Sequence, residues 1–299
     1  MHVSDFRHQL ANRVKATSGH LGAGLHALLG SRATATLGIL FYHRIMPHLA
    51  GVPAPGLNVI PSAFRRQLEG LLERGYTFLA LRDVLSRLEQ GYPLPEKAVV
   101  LTFDDGFASL FVHAWPILQD LQVPATVFVV TGYVDTEVPM PFDFWGMRHH
   151  TRTPSEAWRS LTWEECRVME AAGLIEIGAH THTHRDLRDD PVAFEADLTQ
   201  CFDALQSHLG RTGPLFAFPF GDWGLGYVND RLIEVVQRSG APCALLTTTA
   251  LVHPQENPFG WGRLEVVEQD TGATLAAKLE GWYTWVRHLR DLTHRVLPW

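Results

Sequence analysis

The sequence predicts an α/β fold, a single closed or nearly closed (β/α) barrel of seven or eight strands, with an open doubly wound sheet as the second reading. Short runs of Val, Leu, Ile and Phe recur down the chain, and most are followed by a segment with apolar residues at helical spacing. Several of these runs end on histidine or aspartate, the pattern of strands whose C-terminal ends share one chemical rim. No linker composition divides the chain. One barrel domain is therefore expected over residues 37–270, preceded by a helical extension over 1–36 and followed by an amphipathic helix over 271–299.

In order, Phe6, Leu10, Val14, Leu21, Leu25, Leu28 and Leu29 lie at loosely helical spacing, weakened by Gly19, Gly22 and Gly24. Residues 37–43 form an apolar run that ends in His43, and a Pro- and Gly-rich loop follows over 47–61. Ser62 is placed to cap a helix carrying Phe64, Leu68, Leu71 and Leu72, which stops at Gly75. A short strand over 77–79, a helix over 81–90 and a buried strand over 98–103 come next. Residues 107–121 read as a helix with a break near Pro116, and 125–131 as another buried strand. The segment 132–154, with Tyr133, Phe142, Phe144 and Trp145, is too long for an ordinary connection and reads as a functional loop or lid. Thr162 caps a helix to Ala172, the run 174–179 leads into His180-Thr181-His182-Thr183-His184, and 191–209 is a long helix. Strands over 215–219, 243–247 and 263–267 enclose a helix over 229–239.

Composition excludes several classes. With 46% hydrophobic and 19% charged residues over 299 positions, the chain can bury a large core. A net charge of −7 and no long Lys/Arg run argue against nucleic acid as a partner. Cys166, Cys201 and Cys243 are odd in number and far apart, so neither a disulfide framework nor a thiolate metal site is expected. His20 and His26 interrupt what would be the apolar core of a secretory signal, and no apolar run is long enough to span a membrane. A cytoplasmic protein, able to work at the inner membrane face, is the expectation. Leu275, Leu279, Trp282, Val286, Leu289 and Val296 share one face of the C-terminal helix, with Lys278, Arg287, Arg290 and Arg295 around it. Packing against its own barrel is the first reading of that helix, and peripheral contact with a membrane surface the second.

The chemistry gathers at strand ends. Two adjacent acids, Asp104 and Asp105, follow a buried strand and precede Gly106, and like charges that close need a cation or a division of roles. His180 and His184, four apart, can turn the same way. With one carboxylate they make a His₂Asp set that leaves positions open for water and substrate. His43 and the run Pro219-Phe220-Gly221-Asp222 stand at two more strand ends. His182 alternates away from the ligand pair if the segment is extended.

Thr102-Phe103-Asp104-Asp105-Gly106, Gly178-Ala179-His180-Thr181-His182-Thr183-His184 and Phe218-Pro219-Phe220-Gly221 resemble the successive motifs of the polysaccharide deacetylase family with its NodB homology domain. The similarity runs from about Leu37 to Val267, through Phe41-Tyr42-His43-Arg44-Ile45 and Leu161-Thr162-Trp163-Glu164. The resemblance implies a distorted (β/α) barrel and hydrolysis of N-acetyl groups on an amino-sugar polysaccharide or glycan precursor. It also implies a divalent metal, zinc first and cobalt, nickel or manganese as alternatives, held by Asp105, His180 and His184. Asp104 would be the general base, and the Phe220 N–H, after Pro219, would face the oxyanion.

Two departures from the family pattern stand out. The arginine expected two residues before Pro219 is Ala217, and Arg263 is the candidate substitute that would hold Asp104. The late acid histidine has no clean counterpart; His253 sits in a Pro-rich loop, so His43, in a Tyr-His pair similar to that of a subgroup acting on biofilm poly-N-acetylglucosamine, is the preferred acid. Pro219, Phe220, Trp145, Trp223 and Arg263 are the residues expected on the substrate side. The rival readings are a non-catalytic glycan-binding or assembly protein on the same barrel, and an amidase or O-acetyl esterase with a smaller substrate.

Overall fold

The computed structural model describes residues 36–282 together with Ala23 and Gly24; the rest of the expected N-terminal helix and the part of the expected C-terminal helix beyond residue 282 lie outside the described residues. Strands β1 (Gly38–Tyr42), β5 (Ala98–Phe103), β6 (Ala125–Val129), β7 (Ile175–Ala179), β8 (Phe216–Ala217), β9 (Ala244–Leu245) and β10 (Leu264–Glu265) form one sheet in the order β10-β1-β5-β6-β7-β8-β9, with β4 (Thr77–Phe78) beside β5. Every pairing in it is parallel. The edges β9 and β10 do not pair strand to strand. Instead Leu246 N–H donates to the Trp261 carbonyl and Arg263 N–H to that of Thr248, while the next residue, Leu264, lies in register with Leu40 of β1. One continuous segment thus touches both edges, and the sheet curls into a distorted barrel.

Burial on both faces explains the apolar runs. Ile39, Val100, Phe128, Ala217 and Leu245 pack together inside the barrel, and their strand neighbours Leu40, Val99, Leu101 and Phe103 pack outward under the helices. Helix α1 (Pro61–Leu72) covers β1 and β5. Phe64 meets Tyr42 at 5.2 Å and Phe103 at 5.8 Å between ring centroids, contacts of about 0.5–1.5 kcal/mol each beyond their burial. Ser62 is not its cap: Pro61 takes the first turn, where a missing N–H costs nothing, and Ile60 precedes it without a side-chain bond.

Helices α2 (Leu81–Glu89), α3 (Trp115–Leu121), α4 (Phe144–His149), α5 (Trp163–Ala171), α6 (Pro191–Leu209), α7 (Asp230–Arg238) and α8 (Gly272–Leu279) complete the main elements. The helix expected over 107–121 begins at Leu110 as a π-turn, with the Trp115 N–H reaching back to the Leu110 carbonyl. That wider turn admits Pro116 without a break, because a helical residue lacking an N–H needs no i−4 acceptor. The loop over 47–61 hides β3 (Asn58–Val59), paired with β2 (Arg44–Ile45), which its Pro and Gly content masked. The C-terminal helix ends at Leu279, and Gly281 takes φ +87. Its apolar residues Leu275, Leu279 and Trp282 are buried, and Gly272 closes on Gly70 of α1. Lys278 donates to Asp270 at 2.6 Å and to the Glu265 carbonyl at 3.0 Å, while Gln67 of α1 holds the Val267 and Asp270 carbonyls and receives the Tyr42 hydroxyl. Among the described residues no helix is long and apolar enough to cross a membrane.

Candidate active site

Register decides which strand ends meet. Tyr42 pairs with Phe103, so His43 and Asp104 leave β1 and β5 side by side, and through β6 Phe103 lies level with Ile177, so His180 leaves β7 two residues further along the same rim. Asp104 continues the inward face of Val100 and Thr102, and Asp105 then turns away with φ +70, followed by Gly106 also at +70. A Cβ at Gly106 would lie 2.8 Å from a Val129 methyl, so only glycine fits that turn. Thr181 (φ +64), His184 (φ +55) and Phe220 (φ +62) are likewise left-handed. For a β-branched threonine this is a costly conformation, and strain of this kind concentrates where side chains must be aimed.

The turn carrying the histidines is held from below by Asp197 of α6. Its carboxylate accepts the His182 N–H at 2.6 Å and the Thr183 N–H at 3.3 Å, and bonds the Thr183 hydroxyl. Thr181 Oγ1 accepts the His184 N–H at 3.1 Å. Because the segment is a turn and not extended, His182 faces Thr131, with Nδ1 3.0 Å from its hydroxyl, while His180 and His184 converge. Their Nε2 atoms lie 3.6 and 3.4 Å from Asp105 Oδ1.

Asp105, His180 and His184 each offer one ligand atom within 4.8 Å of the others, and all three are buried. The donor set fits a cation. His180 Nδ1 lies 2.7 Å from the Ala217 carbonyl, which can only accept, so Nδ1 carries the proton and Nε2 presents its lone pair towards the Asp105 oxygen. Two acceptors facing each other at that distance call for a positive charge between them. Burial pushes the His180 imidazole down to about 4 although Asp104 stands near, so it is neutral, as a ligand must be. Asp105 is held well below the usual carboxylate range: burial alone would raise it, and the contacts with His184, His43 and His180 outweigh that cost.

Arg263 is wholly buried, and its guanidinium grips Asp104 with both arms, Nη1 to Oδ1 and Nη2 to Oδ2 at 2.7 Å each. Nε donates to the Leu246 carbonyl at 3.0 Å and Nη1 also to the Thr102 hydroxyl at 3.2 Å. Burial would raise the Asp104 carboxyl; Arg263 reverses this and holds it below its ordinary value. The position where the motif has arginine, Ala217, gives its carbonyl to His180 instead. Arg263 therefore cannot touch substrate, and the expectation that groups it with the substrate-side residues is corrected.

A cleft of about 840 Å³ opens over the site, with His43 and Asp105 at its floor and Phe107, Phe142, Trp145 and Glu268 among its walls. Its far wall is pinned in place. Arg44 pairs with Asp143, donates to the Ala157 carbonyl at 3.0 Å and lies 3.7 Å over the Phe107 ring, while Trp145 Nε1 donates to the Pro53 carbonyl at 2.7 Å. Phe220 stands against His184 and not in the cleft; its turn, bonded through Thr247 to the Phe220 carbonyl, leaves the Phe220 N–H without a partner among the described residues. Trp223 lies outside the cleft on the same loop, 42% exposed. His253 is excluded as acid. It follows Val252, which pairs with Leu37 at the start of β1, so six residues of strand, roughly 20 Å at about 3.3 Å each, separate it from the rim. Asp197, the Arg44–Asp143 pair and the contact of the loop aromatic Phe142 with His184 went unseen in the sequence, since only the fold brings those segments together.

The chain matches a family model described as polysaccharide deacetylase over residues 91–244. It is 36% identical over 125 residues to the poly-beta-1,6-N-acetyl-D-glucosamine N-deacetylase of Escherichia coli (strain K12), covering 42% of this chain and 18% of that protein. The protein of the same name from Staphylococcus aureus (strain MRSA252) is 24% identical over 235 residues, 76% of this chain and 73% of that one. Among solved structures, the deacetylase PplD of Streptococcus pyogenes in complex with acetate superposes with a TM-score of 0.67 at 21% identity, covering 83% of this chain and 99% of that one. IcaB from Ammonifex degensii superposes with a TM-score of 0.66 at 24% identity over 83% and 98%. The chain thus spans less than a fifth of the Escherichia coli relative, and these superpositions bear on the fold.

Proposed function

The chain belongs to the polysaccharide deacetylase family, and from that premise we propose that it is a metal-dependent hydrolase that removes N-acetyl groups from an amino-sugar glycan. The observation that carries this reading is the cluster of Asp105, His180 and His184, with Asp105 reaching the floor of the cleft, beside a separate, arginine-held Asp104. The names of the curated relatives support an acetylated polysaccharide as substrate.

Asp105, His180 and His184 would hold a divalent cation, with zinc the finer proposal on a nitrogen-and-carboxylate set. Bound there, it would polarise the acetamide carbonyl and acidify the attacking water. The remaining work falls to the chain. Asp104, ionised and with a second lone pair on each oxygen beyond those engaged by Arg263, takes the proton of the water. The Phe220 N–H is the donor available to the developing oxyanion. His43, at the cleft floor beside Asp105, returns a proton to the departing amine. The cleft walls exclude bulk water and seat the sugar against Trp145.

The experiment is acetate release from N-acetylated glucosamine oligomers and polymer, with and without a chelator. Activity is expected in the zinc-loaded protein, lost on chelation and restored by zinc. Asp104→Asn should keep zinc and lose about 10²–10⁴-fold in kcat, as should His43→Ala, while His253→Ala matches wild type. Zinc-replete wild type that releases no acetate from any amide or ester would overturn the reading in favour of a glycan-binding protein.

A further inference from the structure

The two ligand histidines are steadied by different means. His180 donates its Nδ1–H to the Ala217 carbonyl at 2.7 Å, whereas His184 Nδ1 is buried with no hydrogen-bond partner among the described residues. A ligating imidazole almost always gives its second N–H to an acceptor, and leaving a buried one unpaired is unfavourable. What surrounds the His184 ring is aromatic. Phe142 lies nearly parallel to it, 3.9 Å between centroids at 20°, and Phe220 meets it edge-on at 4.9 Å and 64°. Phe220 is backed in turn by Tyr227 at 5.1 Å, over which the Arg188 guanidinium sits at 3.6 Å. Phe142 is also met by Tyr133, edge to face at 5.9 Å between centroids.

We propose that Phe142 is a positioning residue for the metal: its ring face sets the rotation of the His184 imidazole, the task that the Ala217 carbonyl performs for His180. The inference rests on the reading of Asp105, His180 and His184 as the ligands. The χ2 torsion of histidine is broad, so without a hydrogen bond the ring plane is fixed only by what it lies against. Phe142 is also next to Asp143, which Arg44 anchors, and three residues before Trp145, which Pro53 anchors. The wall of the substrate cleft therefore reaches the metal ligand directly, and metal affinity depends on a residue that itself donates nothing to the metal.

The test measures zinc affinity by competition with a chromophoric chelator, and the visible spectrum of the cobalt-substituted protein, on the full chain. Phe142→Ala is expected to weaken zinc binding about 10–100-fold, the usual effect of losing a ligand's support, and to alter the cobalt bands. Phe142→Tyr, which keeps the flat face, should retain wild-type affinity and spectrum; Phe142→Leu, with bulk but no flat face, should follow alanine. Far-UV circular dichroism checks folding, and if alanine does not fold, leucine decides on the same terms. His184→Ala is the control. If it binds zinc as tightly as wild type, the ligand assignment fails. If it loses zinc while folded Phe142→Leu keeps wild-type affinity and cobalt spectrum, the positioning role is overturned and the ligand assignment stands.

Discussion

At Asp104 two large and opposed electrostatic effects meet, the cost of burying a carboxylate and its attraction to a guanidinium buried with it. Neither partner is exposed to water, so geometry decides the outcome. An arginine fork matches both carboxylate oxygens at once, which a lysine ammonium cannot do. Arg263→Lys is therefore expected to keep zinc content and KM but lower kcat by about 10²-fold through misplacement of the base, read by steady-state acetate release together with metal analysis. Arg263→Met removes the charge altogether. Leaving Asp104 buried and unpaired should cost about 3–5 kcal/mol of stability, read as a lowered midpoint in denaturant. That Arg263 would serve Asp104 was legible in the sequence, because a strand-start arginine and a motif position lacking one were both visible. Phe142 was not legible in that way: an aromatic in a long loop has no partner until the loop folds onto the β7 end.

Helix starts show what a local pattern can and cannot reveal. At α5, Thr162 caps as its sequence suggested, and Glu165 closes the box by accepting the Thr162 N–H at 2.8 Å while Arg159 grips its carboxylate. Burial would raise the Glu165 carboxyl, but the Arg159 contacts and the cap bonds hold it below its ordinary value. A carboxylate lowered on folding stabilises above its unfolded pKa and loses that contribution as pH falls through its folded one. Glu165→Gln should accordingly be less stable than wild type by about 1 kcal/mol at pH 7, with the gap closing below about pH 4 in urea titrations at the two pH values. At α1 the same kind of signal misled, since Ser62 lies one residue inside a helix that Pro61 opens. The β2–β3 pair was hidden for a similar reason: two-residue strands are set by partners, not by their own propensity.

Across the whole molecule, the candidate ligands come from the ends of β5 and β7, which β6 separates. A cation bound to all three ties these βα units together only in the folded state. Zinc at about 100 times its Kd should then add about 2.7 kcal/mol of stability and raise Tm by several degrees, a shift that Asp105→Asn abolishes in thermal unfolding with and without zinc. The barrel's seam has a different consequence. The segment that joins β9 to β1 also carries Arg263, so the last strand among the described residues brings the partner of an acid made 159 residues earlier. A nascent chain that stops before Trp261 already contains every candidate ligand and the base, yet its Asp104 has no counterion and its barrel no closure. Closure of the described barrel and delivery of the counterion of Asp104 are thus one event, and a chain clipped before Trp261 leaves the proposed base buried without its partner.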